Sequence, residues 1–159
     1  MKKSILLLAG CMVLSLTACG EKEPTNSTNN TTNAPAQEEV VKEPEQVTET
    51  GQGTFYLENE SGTTENGDPI VIYDGGDTQL MQIGLNTNDF DGGKLTYVYV
   101  DGELLTKEQY GGESQGTLEL SEKQLTPGTH QVVLKQYEND DEKTDPVTVK
   151  VATYEVKAK

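Results

Sequence analysis

The pattern of apolar and polar positions changes character twice along this chain. A predominantly apolar stretch runs from Ile5 to Leu16. Residues 20–52 then carry only Val40, Val41 and Val47 as aliphatic side chains larger than alanine. From about Thr54, short apolar runs alternate with turn signals. Phe55-Tyr56-Leu57 opens this region, and Pro69 to Tyr73 follows, stopped by Asp74-Gly75-Gly76. Leu80 to Leu85 precedes a break at Asp91-Gly92-Gly93. Leu95 to Val100 leads through Asp101-Gly102, a favoured two-residue hairpin turn, into Glu103-Leu104-Leu105. Thr117 to Leu120, Thr129 to Tyr137 and Val147 to Val156 complete the set. These runs are rich in Val, Ile, Tyr and Thr and predict seven or eight strands. No segment shows a sustained 3.6-residue period; residues 103–110 and 119–125 have room for one helical turn each. The expected fold is all-β, a single sandwich in residues 53–159, a length that suits one core.

Alternation assigns side chains to faces. His130, Val132 and Leu134 share one face of their strand, and Leu118, Leu120 and Leu125 complete that half of the core. Val147, Val149 and Val151 share a face, but after Val151 the apolar phase passes to Ala152, Tyr154 and Val156. That shift predicts a bulge or a change of partner near Ala152. The run from Leu95 to Val100 admits two registers, with either the valines or the tyrosines in the core.

Val98-Tyr99-Val100-Asp101-Gly102, followed by Leu125-Thr126-Pro127-Gly128-Thr129-His130-Gln131-Val132, resembles the middle and late strands of bacterial immunoglobulin-like domains. The resemblance covers residues 94–157. It implies an extracellular spacer, adhesive or ligand-binding module with no shared catalytic residues. Residues 54–90 match less well, which leaves their strand order open. The resemblance carries its valines inward and so turns Tyr97 and Tyr99 outward. Two aligned tyrosines make a candidate partner-binding patch, with ordinary cross-strand packing as the alternative.

The N-terminus carries a second resemblance. Lys2 and Lys3 precede the apolar stretch, and Leu16-Thr17-Ala18-Cys19 ends it in small residues. A positive start, a short apolar middle and small residues before the cut are the parts of a secretory signal. The stretch is too short for a membrane span, which needs roughly 20 residues. A cut before a cysteine resembles the lipobox of bacterial lipoproteins, in particular those of low-GC Gram-positive bacteria. The resemblance implies removal of residues 1–18 and lipidation of Cys19, with a diacylglyceryl group on its sulfur. It places the protein on the outer face of the cell membrane. Two or more acyl chains hold stably where one holds marginally, at about 0.8 kcal/mol per buried methylene.

Cysteine count and charge narrow the picture. Cys11 lies in the signal, so Cys19 is the single cysteine of the processed chain and no internal disulfide is available. Taking Lys2 and Lys3 from a chain of formal charge −15 leaves −17. With no arginine, nucleic acid is a poor partner, because its binding depends on neutralising phosphates. Residues 19–52 are expected to be a lipidated cysteine and a disordered tether. The part after Cys19, about 33 residues long, reaches roughly 100 Å at about 3.3 Å per residue.

Candidate chemistry is sparse. His130 is the only histidine, without companion histidines or thiolates for a metal, and no serine sits in a Gly-x-Ser-x-Gly elbow. Asn86 to Gly93 looks like the start of a calcium loop. Placing Asp89, Asp91 and Gly92 in an EF-hand frame puts Val98 where a bidentate glutamate is required. Glu138 to Glu142 is a second acidic loop. The expected function is a lipid-anchored, non-enzymatic binding or display role toward an envelope, wall or host protein, with no metal or cofactor. The alternatives are a calcium- or small-ligand-binding receptor module, and a hydrolase.

Overall fold

A computed structural model describes residues 46–74 and 80–159. The signal, Cys19 and most of the expected tether therefore lie outside the described residues. The described residues form nine strands: β1 (Thr54–Asn59), β2 (Gly62–Thr63), β3 (Ile70–Asp74), β4 (Leu80–Phe90), β5 (Thr96–Val100), β6 (Glu103–Glu108), β7 (Gly112–Ser121), β8 (Gly128–Tyr137) and β9 (Pro146–Ala158). Two short 3-10 turns, Glu122–Leu125 and Glu138–Asp140, flank β8. The strands make two sheets, ordered β2-β1-β4-β7 and β3-β9-β8-β5-β6.

The period-two pattern builds the core between them. Leu57, Ile83, Leu85, Leu118 and Leu120 come from the first sheet. Ile70, Ile72, Val98, Val100, Val132, Leu134, Tyr154 and Val156 come from the second. Each contributes about 1.5–3 kcal/mol by burial. With no disulfide, this packing and the two hydrogen-bond ladders hold the domain.

The connectivity is that of an immunoglobulin-like sandwich. β1, β4 and β7 take the places of strands A, B and E. β5, β6, β8 and β9 take those of C, C′, F and G. β3 crosses from the first sheet to the second and pairs parallel with β9, Ile70 opposite Tyr154 through Asp74 opposite Ala158. This resolves residues 54–90: β1 and β4 lie side by side, and β3 goes to the opposite layer.

Three local features differ from the sequence expectation or refine it. Residues 103–108 form strand β6, not a helical turn, because the Asp101-Gly102 turn folds them straight back onto β5. Near Ala152 the β8–β9 register runs without a bulge. What changes there is the partner on the other edge of β9, as β3 begins pairing only at Tyr154. Ahead of that point the edge is met by the segment before β1. Thr50 exchanges both backbone hydrogen bonds with Val149, at 3.0 and 3.1 Å, and Glu49 accepts from the Val151 amide at 2.9 Å. The apolar phase shift follows from this arrangement. Val149 and Val151 face outward opposite Lys135 and Val133, while Ala152 and Tyr154 face the core.

Candidate functional site

The outer face of the five-stranded sheet carries Tyr97 and Tyr99. Val98 and Val100 enter the core, so the tyrosines point outward. Tyr97 is nevertheless only 3% exposed. Its ring meets Tyr137 edge-on at 5.1 Å, its hydroxyl donates to the Asp140 carbonyl at 2.8 Å, and Lys107 Nζ lies 4.3 Å from its centroid. Tyr99 is half-buried; its hydroxyl meets that of Tyr137 and donates to Glu142 Oε2, each at 3.3 Å. Burial, then the Tyr137 contact, pushes the Tyr99 phenol well above its ordinary value. Glu142 also accepts from Lys107, which holds the Glu142 carboxyl below its usual range. The β8–β9 loop is thus pinned onto the tyrosines, and the protein's own side chains cover Tyr97.

His130 sits at the start of β8, buried, and stacks on Tyr154 at 4.9 Å between centroids. Its Nδ1 lies 2.6 Å from Asp101 Oδ2 and its Nε2 lies 2.7 Å from the Thr126 carbonyl oxygen. In many immunoglobulin-like domains a tyrosine at the start of strand F bonds back to the backbone just upstream. Here His130 makes that bond and adds a second to the β5–β6 turn. Burial lowers its pKa, but the Asp101 bond, the Thr126 carbonyl and the Asp101 charge outweigh it, for a net rise. Neither ring nitrogen faces a serine. Ser61 bonds to Asn59, Ser114 to Gly111 and Ser121 to Gln124.

The acidic loops are tied into the fold. Asp91 accepts from the Gly93 amide and from Lys94, both at 2.9 Å, and its carboxyl is lowered chiefly by Lys94. Asp140 accepts from the Leu95 amide and Asp141 from the Lys143 amide. Among the described residues, no three acidic, histidine or cysteine side chains converge in a way that would hold a metal.

The opposite layer holds an open groove of about 930 Å³ across β1, β4 and β7. Tyr56, Asn86 and Gln115 stand side by side in it, in register on three adjacent strands. Leu57 and Leu85 enter the core, so Tyr56 and Asn86 point away from it. Asn86, 6% exposed, donates to Glu58 at 3.1 Å and accepts from Gln115 at 2.9 Å. Thr54 and Asn88 form the next row, and Glu65 and Glu113 also line the groove. Sequence reasoning missed this row because it ended the strand at Leu85 and read residues 86–93 as a loop. The signal was present as alternation: Thr54, Tyr56 and Glu58 in one strand, Asn86 and Asn88 in another.

No protein-family profile matches the chain, and no curated protein matches it. Among solved structures it is similar to the CARDB domain of a Pyrococcus furiosus protein. That match has 13% identity and a TM-score of 0.39, covering 65% of this chain and 93% of that one. It is also similar to a lytic polysaccharide monooxygenase of Jonesia denitrificans. There the identity is 15% and the TM-score 0.32, covering 58% of each chain.

Proposed function

We propose that this protein is a lipid-anchored, non-enzymatic binding module, displayed on the outer face of the cell membrane toward an envelope, wall or host component. The observation that carries the binding role is the groove over β1, β4 and β7, which is open and lined by an ordered polar row on a rigid sheet. The lipobox resemblance ending at Cys19 supports the anchoring. The tying of both His130 nitrogens to Asp101 and Thr126 supports a role without catalysis. A tether raises the effective concentration of the domain near the membrane while leaving it mobile.

The test places a photocrosslinking residue at exposed Asn88 in the groove or at exposed Leu104 on the far sheet, in the full chain on intact cells. Capture of a discrete partner from position 88 and not from 104 is expected, with Cys19→Ala moving the protein into the medium. Equal capture from both positions, or none from 88, overturns the binding surface. Retention of Cys19→Ala at the membrane overturns the anchor.

A further inference from the structure

We infer that the groove over β1, β4 and β7 takes a neutral oligosaccharide, an assignment that rests on the binding role proposed above. The chain is strongly acidic, yet the floor of this groove is not. Its central row is a phenol and two carboxamides, and Thr54 stands in the next row on the same face. Its carboxylates are Glu65 and Glu113 among the lining residues, and Glu58, which accepts from Asn86 beside the row. No lysine or histidine lines it, so anionic ligands meet the like charges of Glu58, Glu65 and Glu113 and no counter-charge. An apolar ligand would find one half-buried phenol ring and a floor of amides that it leaves unpaired, a costly exchange.

A sugar matches what remains. Each carboxamide offers both a donor and an acceptor, as vicinal hydroxyls require. Asn86 is held by Glu58 on one side and Gln115 on the other, so its amide is ordered before any ligand arrives. The free functions of Gln115, which is exposed, stay available for hydroxyls. Tyr56 supplies an aromatic surface at one end of the row, suited to the C–H face of a pyranose. Two interstrand spacings of about 4.8 Å set the length of the row at the scale of a disaccharide. A basic peptide is the rival occupant, drawn by Glu58, Glu65 and Glu113, but the central row itself offers it no carboxylate.

The test is calorimetric titration of the full chain with cellotetraose, chitotetraose and maltotetraose, with tetralysine as the cationic rival. Saturable binding of at least one tetrasaccharide is expected, surviving about 1 M salt, where the screening length is about 3 Å. Tyr56→Ala is expected to weaken it about tenfold, the worth of one lost aromatic contact. Gln115→Leu should weaken it in protein that still melts cooperatively, with a lower midpoint from the lost bond to Asn86; Leu104→Ala should leave binding unchanged. No binding by any of the three sugars, or binding indifferent to both groove substitutions, overturns the assignment. Salt-sensitive binding of tetralysine alone overturns it in favour of a basic peptide. If sugars fail while position 88 still captures a partner on cells, the binding role stands and only the ligand class falls.

Discussion

Replacing His130 by phenylalanine should remove a pH dependence from the stability of this domain. Both ring nitrogens face acceptors, the Asp101 carboxylate at 2.6 Å and the Thr126 carbonyl at 2.7 Å. A neutral imidazole has one N–H and satisfies one of them; the imidazolium satisfies both. The folded state therefore binds the proton more tightly than the unfolded chain, in line with the net rise in pKa. A pKa raised on folding gives stability that is fully present below the unfolded value of about 6.5. That stability is lost as pH climbs through the folded value. His130→Phe keeps the ring against Tyr154 and deletes both bonds. A hydrogen bond to a charged group contributes about 1.5–3 kcal/mol and an ordinary one about 1. The Asp101 side chain is 45% exposed, so water recovers part of the first. The expected cost near pH 6 is therefore about 2 kcal/mol. His130→Tyr should restore the backbone bond, about 1 kcal/mol of it, and no pH dependence. Urea denaturation at a series of pH values, with the slope unchanged, reads the free energies. As the only histidine, His130 gives a single imidazole NMR signal that reports its titration directly. A midpoint at or below that of an unstructured histidine, or a pH dependence that persists in His130→Phe, would refute the reasoning.

Other outcomes follow from the same structure. Gly51 has φ +70, and a Cβ there would lie 2.7 Å from the Thr148 Cα, so Gly51→Ala should lower stability by about 2 kcal/mol in urea melts. Gly62→Ala, at an exposed positive-φ turn with open space, should lose only the conformational part of that cost. Gln136 is fully buried and bonds to the Asp91 amide and carbonyl and to Thr96 Oγ1; Gln136→Leu should cost about 2–4 kcal/mol and unfold cooperatively at lower urea. Tyr97→Ala should cost about 3 kcal/mol, whereas Tyr99→Phe should lie within about 0.5 kcal/mol of the parent, as thermal melts can distinguish.

The core was legible because its rule is local. Val98 with Val100, Val132 with Leu134, and Ile70 with Ile72 each declare an inward face at spacing two, and each occupies it. What the chain concealed was whatever depends on backbone pairing. Asn86 to Phe90 looks like a loop by composition, yet it continues β4, a strand with partners on both sides. Its ladder bonds do not depend on which side chains it carries. Glu49 and Thr50 look like tether, yet they close the edge of β9 that β3 leaves open, Thr50 through its main chain and Glu49 through its carboxylate on the Val151 amide. Residues 103–108 fit a helical turn or an edge strand equally well in composition, and the preceding Asp101-Gly102 turn decides between them.

The groove marks the limit of that local rule. On a solvent-facing strand, tyrosine, asparagine and glutamine are ordinary residues, and nothing at Tyr56, Asn86 or Gln115 taken alone distinguishes a site from a soluble surface. Their meaning comes from register. Asn86 is 28 residues from Glu58 and 29 from Gln115, and only the pairing of β1 with β4 and β4 with β7 makes them one hydrogen-bonded row. Because side chains alternate with period two, a one-residue slip in either pairing would carry the row to the wrong face. Leu57, Leu85 and Leu118 prevent that slip by being buried on the other side of the same strands. The core that alternation reveals is therefore what holds the polar row in line. A substitution such as Leu85→Asp should scatter the groove without touching any residue that lines it.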